Sequence, residues 1–254
     1  MGEKKITEIQ KEYKEASIEL LPDFIQEYIN DGRPGVSKII GQAQKRMEKL
    51  RVEKERIERL KEYEYKYWEQ YDYIGGIDEV GRGPLAGPVV TACVILPKDC
   101  DILYINDSKK LTAAKREELY EEIMEKAISV SIGAASEERI DDINILQATY
   151  EAMRQAIEEC KVEPQLLLND AVTIPQVKIP QVPIIKGDAK SISIGAASII
   201  AKVTRDRMMV EYDSIFPEYH FANNKGYGSA EHIEALKKYG PCPIHRRSFI
   251  GNFV

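Results

Sequence analysis

Two adjacent carboxylates, Asp78 and Glu79, close an apolar run that begins at Tyr73, and Gly81-Arg82-Gly83 follows at once. The run reads as a buried strand stopped by turn residues. Acids at the mouth of a strand can hold a hard cation. Gly81 and Gly83 let the backbone approach a ligand closely and expose its N–H groups. An acidic pair beside glycines is also what a solvated strand end looks like, but two further segments repeat the design. Leu166-Leu167-Leu168-Asn169-Asp170 is a short apolar strand that stops at a carboxylate. Val182-Pro183-Ile184-Ile185-Lys186-Gly187-Asp188 is another, and Asp188 leads into a helix. In one shared sheet these strands could bring Asp78, Glu79, Asp170 and Asp188 to a common end. Mg²⁺ and Mn²⁺ prefer such oxygen ligands, and Mg²⁺ is usually held by a few carboxylates, with water and substrate phosphate completing its shell. Two ions about 3.5–4 Å apart can bracket a scissile phosphate, one activating water and the other stabilising the leaving oxygen. Without a cation the clustered acids repel one another unless partly protonated. The chemistry indicated is attack on a phosphodiester.

The elements that must position these acids begin at Tyr73. Val89 to Leu96 is a β-rich run closed by Pro97, and Ile128 to Ala135 reads as another strand. Thr112 can cap a helix running to about Lys126, and Ile143 to Cys160 reads as a second helix. Pro183 suggests an edge or strand-start position. After Asp188, the small residues Gly195, Ala196, Ala197 and Ser198 let a helix approach the sheet closely. Ala196, Ile199, Val203 and Val210 share the face expected to pack there. Ala230 to Tyr239 is a further helix. Early strands in succession, followed by strands separated by helices, predict an α/β domain with a mixed sheet.

Residues 1 to about 70 differ. One or two short helices are expected before Asp31-Gly32-Arg33-Pro34-Gly35. A long charged helix follows, including a charge-rich run from Lys45 to Tyr67, with Met47, Leu50, Ile57 and Leu60 as a thin apolar stripe. The expected organisation is a helical N-terminal extension, residues 1–70, and a catalytic domain, residues 71–254.

The chain has 254 residues, 43% hydrophobic and 31% charged, as an ordinary globular protein does. No apolar stretch approaches the roughly 20 residues needed to span a bilayer. Nor does a signal core follow the N-terminus, so a cytoplasmic location with no membrane partner is expected. Met1-Gly2 can begin a myristoylation site, but Ile6 stands where Ser or Thr is wanted. Cys93, Cys100, Cys160 and Cys242 have no zinc spacing and are expected to be reduced. The net charge of −6 argues against non-specific nucleic-acid binding, but not against an enzyme with its cations on one face.

These residues, taken together, resemble one family closely: ribonuclease HII, the type 2 ribonuclease H. The resemblance rests on Gly76 to Pro88, Asp107-Ser108-Lys109-Lys110-Leu111, the strand end at Asp170 and Gly187-Asp188. It continues in Ala196 to Asp206 and Lys225-Gly226-Tyr227-Gly228, in collinear order over roughly residues 73 to 250. The resemblance implies an RNase H-like mixed sheet flanked by helices. It implies an endonuclease, a monomer in this reading, acting on RNA–DNA hybrids and on ribonucleotide-containing duplex DNA. Cleavage would fall 5′ of a ribonucleotide, even a single one, and leave 3′-hydroxyl and 5′-phosphate ends.

The family's four active-site acids map onto Asp78, Glu79, Asp170 and Asp188, as ligands of Mg²⁺ or Mn²⁺, with two ions when substrate is bound. Its ribose-sensing motif maps onto Gly81, Arg82 and Gly83, and its stacking tyrosine onto Tyr227. Lys109, Lys110 and Lys202 are candidate phosphate contacts. The sister type 3 enzymes usually differ at the Gly-Arg-Gly motif, which is intact here. His245 reads as structural, and Arg246-Arg247 is left open as a DNA contact. The competing readings are a module that binds RNA–DNA junctions without cutting them and a related exonuclease that requires a free end.

Overall fold

The computed structural model describes residues 4–254; Met1, Gly2 and Glu3, and with them the Met-Gly start, lie outside the described residues. The chain divides into two compact units, residues 1–58 and 59–254. In the first, helices α1 (Ile6–Glu15) and α2 (Leu21–Tyr28) precede α3 (Pro34–Leu60). Ile9, Leu21, Phe24, Val36, Ile39 and Ala43 form its core. Tyr28 donates to Glu12 at 2.6 Å and accepts from Lys4 at 2.8 Å, closing one side of that core. The long helix starts at Pro34, inside the Asp31–Gly35 stretch expected to precede it, because proline at a helix start gives up an amide that would be unpaired there. It also breaks at Lys61 (φ −90°, ψ 3°) before α4 (Glu62–Tyr67), where one continuous helix was expected.

In the second unit, among the described residues, five strands form one mixed sheet of order β3-β2-β1-β4-β5. β1 (Ile74–Val80), β2 (Val89–Ile95) and β3 (Ser129–Ala135) are antiparallel neighbours. β4 (Leu166–Asp170) and β5 (Gln181–Ile184) add in parallel on the other side of β1. Every residue of β2 is buried, so the strand reads as a continuous apolar run without alternation. Pro183 lies on β5, an edge strand, where its missing N–H costs no central ladder bond. β5 stops at Ile184, two residues short of a strand over Val182–Lys186, because Lys186 adopts a left-handed conformation with φ 60°.

Helices cover both faces of the sheet. α5 (Ala113–Lys126) is capped by Thr112, whose hydroxyl accepts from Lys115 N at 3.2 Å. α6 (Glu137–Glu158) begins six residues before the expected Ile143 and kinks at Asn144, where φ is 69°. The Asn144 side chain accepts from Leu146 N and Gln147 N, so it caps a second helical segment inside the first. Met153, Ala156 and Ile157 of α6 pack on Ile77, Cys93 and Leu167.

On the other face lies α7 (Ile192–Ile215), with Ile194 packed against Ile74, Leu166, Leu168 and Ile184. Its approach is so close that a Cβ at Gly76 would lie 2.1 Å from the Ser193 carbonyl carbon. Ala196, Ile199 and Val203 are buried, but Val210 is 48% exposed; the predicted face ends before it. α8 (Phe221–Asn224), α9 (Ala230–Tyr239) and α10 (Arg247–Ile250) complete the unit. Among the described residues no helix is long and apolar enough to cross a membrane. The four cysteines are free, three of them buried.

Candidate active site

Strand register gathers the carboxylates. Asp78 and Glu79 lie within β1, paired with Ala92 and Thr91 of β2, and do not stop the strand as expected; β1 runs on to Val80. On its other side the parallel ladder ends where Ile77 meets Asn169. Asp78 and Asp170 are the next residue along each strand, so they emerge side by side. By two-residue alternation both follow Ile74, Gly76, Leu166 and Leu168 on the face toward α7. Asp170 then accepts from Gly187 N at 2.7 Å, which ties it to the 3₁₀ turn Gly187–Ala189 carrying Asp188.

The electrostatics follow from this crowding. Burial, then Glu79 and Asp170, hold Asp78 well above the usual carboxylate range. Glu79 is raised by burial and Asp170, against the pull of Arg82. Asp188 is raised by burial, Asp107 and Asp170, against Lys109. Among the described residues no three His, Cys, Asp or Glu side chains converge tightly enough to enclose an ion in this conformation. The donor set still suits a divalent cation: it is all hard carboxylate oxygen, and the mutual repulsion is what a cation would relieve.

The turn after β1 is held from below by two arginines with no solvent exposure. Arg205 of α7 donates to the carbonyls of Pro88 (2.8 Å), Lys225 (2.8 Å) and Ala86 (3.0 Å). Arg246 donates to those of Gly81 (2.6 Å), Gly87 (2.6 and 2.9 Å) and Arg82 (3.1 Å). Backbone bonds join the same turn to the C-terminal segment, Gly87 N to Ile244 O at 2.8 Å and Arg246 N to Leu85 O at 2.9 Å.

The Arg82 side chain points outward, 3.4 Å from Glu79 Oε1. Tyr227 reaches the same place from another segment: a Cβ at Gly83 would lie 3.9 Å from its ring. Leu85 N donates to Gly226 O at 2.8 Å, holding the two segments together. Tyr227 as a whole residue remains 44% exposed.

The three lysines separate. Lys109 acts on Asp188, and its backbone N–H donates to Asp107 at 3.0 Å. Lys110 is exposed, with its Nζ 3.7 Å from Asp107. Lys202 is committed to an ion pair with Asp206 at 2.7 Å, and burial lowers its pKa.

Several residues of the site escaped the sequence reading. Arg246 is fully buried under the Gly-Arg-Gly turn, which excludes it as a DNA contact, and nothing in its neighbours' pattern distinguishes a buried arginine from a solvated one. Glu64 of α4 is 1% exposed and accepts from Ser191 Oγ (2.5 Å) and Ser193 N (3.0 Å) at the start of α7. It thereby anchors the end of the Asp188 turn from a region that reads as a solvated helix.

Comparison with known proteins gives two family matches: the model of Ribonuclease HII over residues 75–252 and that of the Ribonuclease HII N-terminal domain over residues 5–68. The chain is 65% identical over 250 residues to a ribonuclease HII of Lachnoclostridium phytofermentans, covering 98% of each. It is 49% identical over 255 residues to that of Clostridioides difficile, covering 100% of each. The solved ribonuclease H2 of Pyrococcus horikoshii superposes with a TM-score of 0.58 at 29% identity, over 69% of this chain and 93% of that one.

Proposed function

The chain belongs to the ribonuclease HII family and is a ribonuclease H; from that premise we propose a metal-dependent endonuclease that cuts 5′ of a ribonucleotide, even one embedded alone in duplex DNA. Water attacks the phosphorus on the 5′ side of the ribonucleotide and the bond to the preceding O3′ breaks. A 3′-hydroxyl and a 5′-phosphate remain. Asp78, Glu79, Asp170 and Asp188 are the residues that would hold Mg²⁺ or Mn²⁺. When bound there, the metal supplies Lewis-acid stabilisation of the charge that develops on the phosphate oxygens and makes the attacking water more acidic.

Everything else falls to the chain's own groups. The Gly81-Arg82-Gly83 turn has its Gly81 and Arg82 carbonyls occupied from behind by Arg246, which leaves its outward face to meet the 2′-hydroxyl, the group that distinguishes RNA from DNA. Tyr227 offers a flat ring to the next sugar, where a second hydroxyl would interfere. Lys109 and Lys110 extend the cationic side toward the phosphate backbone, and Lys202 contributes its charge once drawn from Asp206. Arg82 in turn exchanges Glu79 for the substrate.

The observation that carries this reading is the continuity of β1: the strand that bears Asp78 and Glu79 runs directly into the turn against which Tyr227 packs. A cutting centre and a sugar-testing ring would thus meet at one short turn, which a binding module without chemistry does not need. The test is cleavage of a DNA duplex with one internal ribonucleotide, with Mg²⁺, Mn²⁺ or a chelator. A metal-dependent nick on the 5′ side is expected. Cleavage of long hybrids with no nick at the single site would refute the assigned specificity.

A further inference from the structure

Behind Tyr227 lie two buried histidines, His232 on α9 and His245 in the C-terminal segment. Their Nε2 atoms are 3.0 Å apart. Two facing ring nitrogens need a single hydrogen between them, and the backbone decides whose it is. Cys242 N–H donates to His245 Nδ1 at 3.0 Å, so that nitrogen is an acceptor. A neutral His245 therefore carries its hydrogen on Nε2 and donates to His232. His232 Nε2 is then an acceptor, and its own hydrogen sits on Nδ1, 2.8 Å from the carbonyl oxygen of Tyr227. All the bonds run one way, from the Cys242 amide through both rings to the Tyr227 backbone. Tyr219 and Phe221 wall the pair edge-on, with centroids 4.8 Å from His245 and 5.3 Å from His232.

We propose that His232 and His245 form a neutral, one-directional relay that sets the pose of Tyr227 and with it the preference for a single embedded ribonucleotide. They are positioning residues, and the proposal rests on the reading of Tyr227 given above. Tyr227 follows Gly226, whose φ of +82° is a conformation that favours glycine, and its carbonyl accepts from Ser229 N at 2.8 Å as well as facing His232, so the relay adds a side-chain bond to the backbone that carries the ring. Its ring is also too exposed to be aimed by packing alone.

Protonation would break the relay. A second hydrogen on His232 would face the one on His245, and a second on His245 would face the Cys242 amide. Burial pushes both rings below their ordinary value, and Arg247 acts in the same sense on His245. The Cys242 thiol, 3.0 Å from His245 Nδ1, is pushed up by burial and stays neutral. Of the remaining charged groups of α9 and the preceding turn, Glu218, His220, Glu231, Glu234 and Lys238 line a surface cleft, and Lys237 is exposed.

Asparagine and glutamine separate positioning from filling. His232→Asn places an amide N–H where Nδ1 stood and can still donate to Tyr227, whereas His232→Gln reaches toward His245 and loses that donation. The readout is the ratio of kcat/KM on a single-ribonucleotide duplex to kcat/KM on a long hybrid. His232→Gln should lower the ratio about fivefold, the scale of one net hydrogen bond, and His232→Asn should stay within about twofold of the unchanged chain. In a Tyr227→Ala background His232→Gln should add nothing, because both act through one ring.

Imidazole ¹⁵N spectra of the unchanged full chain at neutral pH should show hydrogen on His245 Nε2 and His232 Nδ1. Equal losses in the two His232 variants, additivity with Tyr227→Ala, or the opposite tautomers would overturn the relay. A Tyr227→Ala chain with an unaltered ratio would instead remove the reading of Tyr227, and the positioning role with it.

Discussion

The carboxylate end of β1 and the turn that follows it are neighbours in sequence and opposites in electrostatic design. At the carboxylates, burial and like charge push Asp78, Glu79 and Asp188 in the same upward direction, and the nearest cation on β1's own turn, Arg82, is half in solvent. Under the turn, two buried guanidiniums satisfy six carbonyls, those of Gly81, Arg82, Ala86, Gly87, Pro88 and Lys225. Burial also works against the charge of Arg205 and Arg246, but each has its donors spent on oxygen. A buried charge is tolerated where hydrogen bonds replace the water it lost. The acids have fewer such replacements, so their relief must come from outside the chain. The molecule keeps its electrostatic strain at the acids and its rigidity under the turn.

The contrast can be broken most directly at Asp78. Asp78→Asn should lower cleavage on the order of 10³-fold, about 4 kcal/mol of transition-state stabilisation, with the fold intact. In chelator at pH 7–8 its melting temperature should equal or exceed that of the unchanged chain, because a like charge has gone. Near-normal turnover with Mg²⁺, or a clear loss of stability, would show that the acids are not the strained side.

Arg246→Met should do the reverse and unsettle the fold by about 3 kcal/mol or more, through several buried carbonyls left without a donor. That corresponds to a fall in melting temperature of roughly 6–12 °C for a domain of this size. Arg246→Lys should recover little, since one ammonium cannot span the same oxygens. A melting curve unchanged by either variant would contradict the clamp.

Acid pH should move the two regions in opposite directions. His245 is lowered from an ordinary 6.5 to about 4, mainly by burial, and His232 is lowered too. Below pH 6.5 the unfolded chain takes up protons that the folded chain refuses, so this contribution to stability is lost as the pH falls toward 4. For Asp78, Glu79 and Asp188, whose folded values are raised, the folded chain takes up protons first. Stability is therefore gained as the pH drops through those raised values toward the ordinary carboxylate range. Melting curves from pH 8 to 4 in chelator should show Asp78→Asn with less of the gain and His232→Asn with less of the loss. Parallel curves for all three chains would mean that neither region titrates as described.

The smallest effect is expected at the boundary between the regions. Tyr227→Ala should cut single-ribonucleotide cleavage about fivefold to tenfold more than long-hybrid cleavage, the scale of one stacking contact. Equal losses on both substrates would leave the ring as packing.

Much of this was legible along the chain. The strand that ends at Asp170, the capped helix from Thr112, the edge position of Pro183 and the helix Ala230–Tyr239 all follow from local pattern, since apolar period, caps and proline act within a few residues. The break of the long helix at Lys61, the kink at Asn144 and the exposed Val210 were not. Each depends on what packs opposite: a periodic stripe continues past the point where its partner surface ends, and a side-chain cap inside a helical pattern gives no signal in the period.

Residue types and their order by themselves determined the family and the mixed sheet, because those follow from short motifs and from strand and helix periods. Tertiary structure alone decided that Asp78 and Asp170 emerge together, through the Ile77–Asn169 register, and that Asp170 holds the Asp188 turn. It alone decided that Arg205 and Arg246 are buried, and that His232 meets His245 behind Tyr227. Burial and hydrogen-bond direction depend on groups far apart in the chain, and a linear pattern carries no record of which of them meet.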